Sequence, residues 1–228
     1  MRIRTCGVCL LLCVALLSNA GAAAAKVHLI NFGKWTTVPW FAGPDADDKP
    51  VTLRIRALVV DGRVKEYAIG SPHEVTERLF VVRRAFRVND SLPEDPGPRW
   101  QWQRGGWLLV DRLTGHIAPI NLPEFDVFYS AASWYRDYIA YCGVTDDGKK
   151  TFAMVAQIGR RKPVLKKPLS DNGVADDAAP DSACPAPSWQ RSPVRVSFEP
   201  AGGAKQTFAI RGHIVDMVND AEDDEETK

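Results

Sequence analysis

The chain has 228 residues, of which 29 are basic and 28 acidic, and its formal net charge is +1. A balance so close to neutrality argues against nucleic acid as a bulk partner, because that binding depends on neutralising many phosphates. About 200 residues suffice for one well-formed core or for two small ones. The composition therefore predicts a folded protein whose partners are not nucleic acids.

The first 25 residues have the features of a secretory signal peptide. Two arginines precede an apolar run at 6–17, and small residues with an A-x-A pattern fill 18–25. The apolar run is too short for a membrane-spanning helix, which needs about 20 apolar residues. We therefore expect cleavage after Ala25, with Ala22 as the alternative, and export to the periplasm or the exterior.

Residues 26–218 are predicted to form a single β-rich domain, and the first clear hairpin covers 51–70. Apolar residues alternate there up to Asp61-Gly62, which is the strongest short-range signal for a hairpin turn. The next segment, 78–90, has apolar spacings that also fit a helix. Its β-branched and aromatic residues favour a strand.

More strands are predicted in the second half of this domain. They are two strands at 107–122 around Thr114-Gly115, a pair at 138–144 and 151–158, and segments 194–198 and 206–218 on either side of Gly202-Gly203. About ten short strands separated by regular turns are typical of an all-β antiparallel meander. The two architectures that fit this pattern are a sandwich and a set of small propeller-like blades.

Three segments rich in Pro, Gly, Ala and Asp are predicted to be loops, at 42–50, 89–99 and 169–193. The last is long for a compact domain, and loops of that length are usually linkers or functional segments. The acidic tail at 219–228 is predicted to be disordered and solvated.

Two cysteines, Cys142 and Cys184, remain after the predicted cleavage. In an oxidising compartment an even count favours a disulfide, and Cys184 lies in a polar segment that gives no packing reason for cysteine. The alternative is that Cys142 is a buried free thiol on a strand. We expect the disulfide, which would tie the 169–193 loop to the strand at 138–144.

Aromatic side chains are concentrated around the start of the 138–144 strand. Both faces of that strand are largely apolar, which predicts an inner strand covered on both sides and a role of this cluster in the core. The alternative is a ligand-stacking edge, for a sugar or a peptide, formed by Trp134, Tyr135 and Arg136. Other tryptophans near loops are further candidates for binding, because Trp and Arg dominate interaction hot spots: Trp100 and Trp102 first, then Trp40 and Trp189.

The hairpin at 138–158 resembles one blade of the TolB-like or WD40-like propeller repeats. In those families an "IAY" strand precedes a turn with Asp-Gly and then an apolar strand, and YIAYCGV, TDDGKK and TFAMVAQI follow in that order here. Segment 107–122 is similar to the hairpins of quinoprotein-like blades. The resemblance covers about 60 residues and implies blade-like sheets, although no period near 40 residues repeats along the chain. The Ser-Pro-Asp-Gly that precedes the strand in TolB repeats is replaced by SAASWYRD.

The sequence lacks the usual catalytic motifs, including the nucleophile elbow and the phosphate-binding glycine loops. The segment HEVTE at 73–77 resembles a zinc motif, but Glu77 stands where a second histidine is needed. We therefore predict neither a metal nor a cofactor. A hydrolase would need two facing carboxylates, for which the candidates are Glu124, Asp126 and Asp137.

The function favoured by these patterns is a non-catalytic binding or structural module of the cell envelope, with a protein or glycan partner. The alternative is a hydrolase that acts on a cell-surface polymer through a pair of loop carboxylates. The basic segment 159–168 would suit contact with anionic polymers or lipid headgroups, or would simply be solvated.

Overall fold

The computed structural model describes residues 27–40, 51–170, 174, 181–211 and 214–218. Within these ranges every regular element is a strand, and the strands form three sheets in which nearly all pairings are antiparallel. The prediction of an all-β meander is confirmed, with more strands than the ten or so expected. The predicted signal peptide, the 42–50 loop and the acidic tail lie outside the described residues.

The first sheet, which we call the ring sheet, contains seven strands: β1 (Ile30–Phe32), β2 (Thr36–Trp40), β3 (Val51–Val60), β4 (Arg63–Glu74), β5 (Leu79–Asn89), β6 (Trp100–Asp111) and β7 (Ile117–Ile120). Strands β2 to β6 each pair with two others of this set, so that hydrogen bonding runs around a closed ring. The ring closes where β2 and β6 run parallel at Trp40 and Trp102. Five strands in an antiparallel succession leave the first and last pointing the same way, and their pairing is therefore parallel.

Both faces of the ring sheet bury apolar side chains. Tyr67 and Ala68 are neighbours on β4, so their side chains point to opposite faces. Tyr67 packs with a cluster that contains Trp40, Leu53, Ile55 and Ala85. Ala68 belongs to a second cluster, formed with Leu58, Phe80, Val82, Leu108 and Val110.

The local predictions for this sheet agree with the structure. Asp61 and Gly62 have φ values of 51° and 76°, as the left-handed conformations of a tight hairpin turn require. The segment that also fitted a helix is strand β5. Between β5 and β6 runs the predicted 89–99 loop, and the predicted turn at Thr114-Gly115 joins β6 to β7.

The remaining strands form two four-stranded antiparallel meanders. The middle sheet contains β8 (Ala132–Tyr135), β9 (Tyr138–Val144), β10 (Thr151–Gln157) and β11 (Leu165–Ser170). The outer sheet contains β12 (Ser188–Arg191), β13 (Val194–Phe198), β14 (Gln206–Arg211) and β15 (Ile214–Val218). Segment 206–218 is thus two strands, and the loop predicted at 169–193 is shorter than expected because strands occupy both of its ends.

The middle sheet is covered on both faces. One cluster joins it to the outer sheet through Ala140, Cys142 and Val155 on one side and Val196, Phe198 and Phe208 on the other. A second cluster packs Ile139, Tyr141 and Met154 against Trp107, Leu122 and Phe125. Strand β9 therefore contributes to both clusters, which confirms the prediction that it is an inner strand.

A disulfide links Cys142 and Cys184, as predicted, with a Cα–Cα distance of 6.1 Å and a separation of 42 residues. Cys184 is fully buried, and it forms an isolated parallel bridge with Ser130. Nearby, the Asp181 N–H donates a hydrogen bond to the Phe128 carbonyl oxygen at 2.7 Å. Residues 181–184 of the predicted 169–193 loop are thus fixed against the loop that precedes β8.

The described part of the chain contains no helix with the length and hydropathy needed to cross a membrane. Whether residues 26–218 form a single domain stays a prediction.

Candidate functional site

Trp134, Tyr135 and Arg136, predicted as a possible ligand-stacking edge, lie at the turn between β8 and β9. Tyr135 pairs with Tyr138 across a two-residue loop, and Arg136, the first residue of that loop, has a φ of 54°. For a bulky side chain this conformation costs about 1–2 kcal/mol. Such strain persists only where surrounding contacts hold the backbone, and it is concentrated at functional sites.

His73, on β4 of the ring sheet, holds this turn in place. Its Nε2–H donates a hydrogen bond of 2.8 Å to the carbonyl oxygen of Arg136, since a carbonyl can only accept. The imidazole also stacks on Trp134, with 5.7 Å between ring centroids. Trp134 in turn meets Trp107 of β6 edge to face at 5.3 Å. Two residues of the ring sheet, His73 and Trp107, therefore fix the turn of the middle sheet.

The outward side of the turn presents aromatic rings beside a guanidinium. Tyr135 stacks on Trp189 of β12, with ring centroids 5.5 Å apart. The guanidinium carbon of Arg136 lies 5.4 Å from the centroid of the Tyr135 ring. Trp189 is oriented by its Nε1–H, which donates to the Ser133 carbonyl oxygen at 3.3 Å. We call Trp134, Tyr135, Arg136 and Trp189 the turn site.

The guanidinium of Arg136 is available to a ligand. Arg136 is exposed, and it makes no ion pair with any carboxylate of the described residues. A free guanidinium can form two parallel hydrogen bonds to a carboxylate or phosphate group. The turn site thus combines a flat ring stack with a fork of donors for an anion.

Trp100 and Trp102 lie at the start of β6, in a second aromatic group. The guanidinium carbon of Arg87 lies 5.6 Å and 5.5 Å from their ring centroids, and Trp100 is 57 % exposed. Tyr67 meets Trp102 edge to face at 5.0 Å. We call Arg87, Trp100 and Trp102 the Arg87 site.

The structure does not bring the two groups of predicted binding residues together. Trp102 belongs to the Arg87 site, whereas Trp107, five residues further along β6, contacts Trp134 of the turn site. Five residues of extended strand span roughly 17 Å. The remaining candidate, Trp40, is buried in the ring sheet and pairs with Trp102.

The three carboxylates considered for a hydrolase each have a local partner. Asp137 accepts a hydrogen bond of 2.8 Å from Gln157 Nε2, and Glu124 pairs with Lys166. Asp126 accepts from the backbone N–H groups that follow it, at 2.7 and 2.8 Å. In the described ranges no group of three or more His, Cys, Asp or Glu side chains is placed to hold a metal ion.

Two residues of these sites were not predicted. His73, which orients the turn site, was considered only as part of the incomplete zinc motif, because Arg136 is 63 positions away and no periodicity connects the two residues. Arg87 lies directly opposite Trp102 in the β5–β6 register. If the strands on either side of the 89–99 loop are paired outward from that loop, Arg87 falls opposite Trp102. This register was the signal in the sequence that could have identified Arg87.

No protein-family model, no curated protein and no solved structure matches this chain.

Proposed function

We propose that this protein is an exported, non-catalytic binding module that recognises an anionic glycan of the cell envelope through the turn site. The observation that carries the proposal is the left-handed conformation of Arg136, held by the hydrogen bond from His73. The conformational cost at this residue is explained if the turn serves to place a guanidinium beside a half-buried ring stack.

Export is supported by two independent features. The segment at 1–25 has the composition of a signal peptide. The Cys142–Cys184 disulfide links strand β9 to the segment that precedes β12, and structural disulfides persist mainly in oxidising compartments.

A glycan is favoured by the chemistry of the two sites. Flat aromatic rings offer large, rigid contact areas for the apolar faces of sugar rings, and each guanidinium can bind a carboxylate in bidentate fashion. Because the Arg87 site repeats the same combination on another part of the surface, an extended polymer could contact both sites and gain affinity through effective concentration.

The resemblance to propeller blades is part of the same proposal. The middle and outer sheets are successive four-stranded meanders that pack face to face, and four-stranded meanders are the units from which propellers are built. This arrangement supports a relationship to blade repeats.

The direct test is titration calorimetry of the purified protein with polygalacturonate, a carboxylated glycan, and with neutral dextran. We expect binding to polygalacturonate that weakens with salt, and none to dextran. Arg136→Gln and Tyr135→Ala should each lower the affinity about tenfold, as hot-spot residues do. Arg63→Gln is the matched control, since Arg63 is an exposed arginine of the ring sheet outside both sites.

The proposal is overturned if the Arg63 variant loses as much affinity as the Arg136 variant, because binding would then follow total charge. Equal binding to dextran would also contradict it. Size-exclusion chromatography of the polymer after incubation tests the alternative function: shortened chains would indicate a hydrolase.

A further inference from the structure

Two arginines and two aromatic rings form a stack on one face of the ring sheet. Arg54 and Arg56 are two positions apart on β3, so their side chains leave the same face of the strand. The guanidinium carbon of Arg56 lies 3.9 Å from the ring centroid of Phe32 and 4.4 Å from that of Trp35. The guanidinium carbon of Arg54 lies 5.2 Å from the same Trp35 centroid. We call Phe32, Trp35, Arg54 and Arg56 the arginine stack.

The positive charge of the arginine stack has no carboxylate partner in the described part of the chain. Neither Arg54 nor Arg56 makes an ion pair with a described residue. Arg84, on the same face of the sheet two strands away, pairs with Glu66 at 2.9 Å. The described residues thus neutralise Arg84 and leave both charges of the stack uncompensated.

The two guanidiniums of the stack repel each other. Both contact one indole, so their separation cannot exceed the two contact distances together, which is about one Debye length at physiological salt. Burial lowers the pKa of Arg56 from its ordinary value, because the charged form has lost part of its contact with water. Anionic groups bound at both guanidiniums would remove the repulsion and replace the lost solvation.

A ligand can reach the stack from solvent. Arg54 is exposed, and Trp35 is 41 % exposed. The Nε of Arg56 is enclosed, whereas its Nη1 is not buried and has no partner among the described residues. Its Nη2 donates only a long hydrogen bond, of 3.4 Å, to the Gly70 carbonyl oxygen. The space beside Gly70 is open, since no atom lies within 4 Å of the position that a Cβ would take there.

We propose that the arginine stack binds two neighbouring acidic groups of one glycan chain, one at each guanidinium. A guanidinium that stacks on a ring keeps its N–H edge free for two parallel hydrogen bonds to a carboxylate. Because the two guanidiniums contact the same indole, the partner has to repeat its charges at short intervals along the chain. A glycan with isolated acidic groups would occupy only one guanidinium.

This inference rests on the proposed function for the class of polymer, and it adds the charge pattern of that polymer. A glycan is favoured over a nucleic acid because the net charge of the chain is only +1. The stack shares no residue with the turn site or the Arg87 site, so variants can separate its contribution from theirs.

The test compares polygalacturonate with a sample in which most carboxylates are randomly methyl-esterified, at equal concentrations of free carboxylate, by titration calorimetry. We expect the original protein to bind the unesterified polymer about tenfold more tightly, because neighbouring sugars both carry a charge only in that polymer. The double variant Arg54→Lys with Arg56→Lys keeps the charge but loses the planar fork of donors, and it should lose this preference. Arg63→Lys, at an exposed arginine of the same sheet, is the matched control and should change nothing.

A variant of the turn site separates this inference from the proposed function. Arg136→Gln should weaken the binding of both polymers and leave the preference intact. If the double variant loses the preference and Arg136→Gln has no effect, the turn site is wrong and the stack stands. The inference is overturned if the original protein does not prefer the unesterified polymer, or if the double variant keeps the preference. Should the double variant fail to fold, Arg54→Lys alone decides, because Arg54 is exposed.

Discussion

The ring sheet and the two C-terminal sheets are stabilised in different ways. Strands β3 to β6 of the ring sheet are 10 to 12 residues long, and the sheet closes on itself by hydrogen bonding. Strands β8 to β15 are only 4 to 7 residues long, and each of their sheets ends in two edge strands that pair with no further strand among the described residues. The ring sheet contains no cysteine, whereas a disulfide links β9 of the middle sheet to the segment that leads into the outer sheet. The one disulfide of the described residues therefore lies in the region of short strands and open sheets.

An ion pair also connects the ring sheet to the segment that precedes the outer sheet. Arg104 of β6 is 7 % exposed and makes two hydrogen bonds, of 2.9 and 2.5 Å, to the carboxylate of Asp181. Arg83 lies 3.8 Å from the same carboxylate. Burial, and then the charge of Arg104, lower the pKa of Arg83 to about 10. Two buried guanidiniums therefore depend on one carboxylate.

Loss of the disulfide should have the largest effect. For a loop of 42 residues the chain-entropy model gives about 4 kcal/mol, so Cys184→Ser should lower the free energy of unfolding by up to that amount. Urea denaturation measures the total, and hydrogen exchange locates it. Amides of β12 to β15 should lose protection before those of β3 to β6. Equal loss of protection in both regions would contradict the comparison drawn above.

Asp181→Asn should have the next largest effect. Removing one partner of a buried ion pair costs about 3–5 kcal/mol, and because the Asp181 side chain is 38 % exposed we expect about 2–3 kcal/mol. Adding Arg83→Met should recover part of this loss, since it removes one of the two uncompensated charges. Asp147→Asn, at an exposed pair with Lys149, is the control and should leave the free energy of unfolding almost unchanged, because water and salt screen exposed ion pairs.

Acid should weaken the ring sheet through its ion pairs. Hydrogen bonds from Arg78 hold the pKa of Asp111 below its usual range, and Arg112 does the same for the pKa of Glu74. A depressed folded-state pKa contributes stability above the unfolded pKa, which is about 4, and that stability is lost as the pH falls below it. Urea midpoints from pH 7 to pH 2.5 should therefore drop less for Asp111→Asn than for the original protein. Parallel curves would show that this pair contributes nothing.

Arg136→Gly should have the smallest effect on stability. The expected effect is a stabilisation, because the substitution relieves the backbone strain of a positive φ at this position. Glycine adopts a positive φ without the steric cost that arginine has, and its greater freedom in the unfolded chain offsets part of that gain. We expect a stabilisation below about 1 kcal/mol in thermal denaturation, together with loss of polygalacturonate binding. A destabilisation above 1 kcal/mol would show that the arginine side chain supports the fold.

Local features were predictable from the sequence, and long-range pairings were not. The limits of β9 at 138–144 and the turn at Asp61-Gly62 followed from alternation and turn chemistry, which act between near neighbours. The closure of the ring did not, because the pairing of Trp40 with Trp102 leaves no trace in either strand's pattern. An alternating strand indicates which face is buried and not which strand lies beside it.

The same separation made the turn site difficult to assign. The aromatic residues around 134 were visible in the sequence, but their interpretation depends on His73 and Trp189, which arrive from other sheets. Burial of β9 on both faces was correctly expected, and it explains why a core role was favoured for its neighbours. The chain passes from the buried core to the surface at the turn between β8 and β9, where Arg136 is exposed.

The parallel contact that closes the ring also sets an order of events for a chain that emerges from its amino end. Strand β2 can pair with β3 early, but its other edge has to wait for β6, 62 positions later. At synthesis rates of roughly 5–20 residues per second, that edge stays open for about 3 to 12 s. During this interval the nascent chain exposes an unpaired strand that could join a neighbouring copy. A chaperone that shields the first hundred residues would therefore act on β2 more than on any later strand.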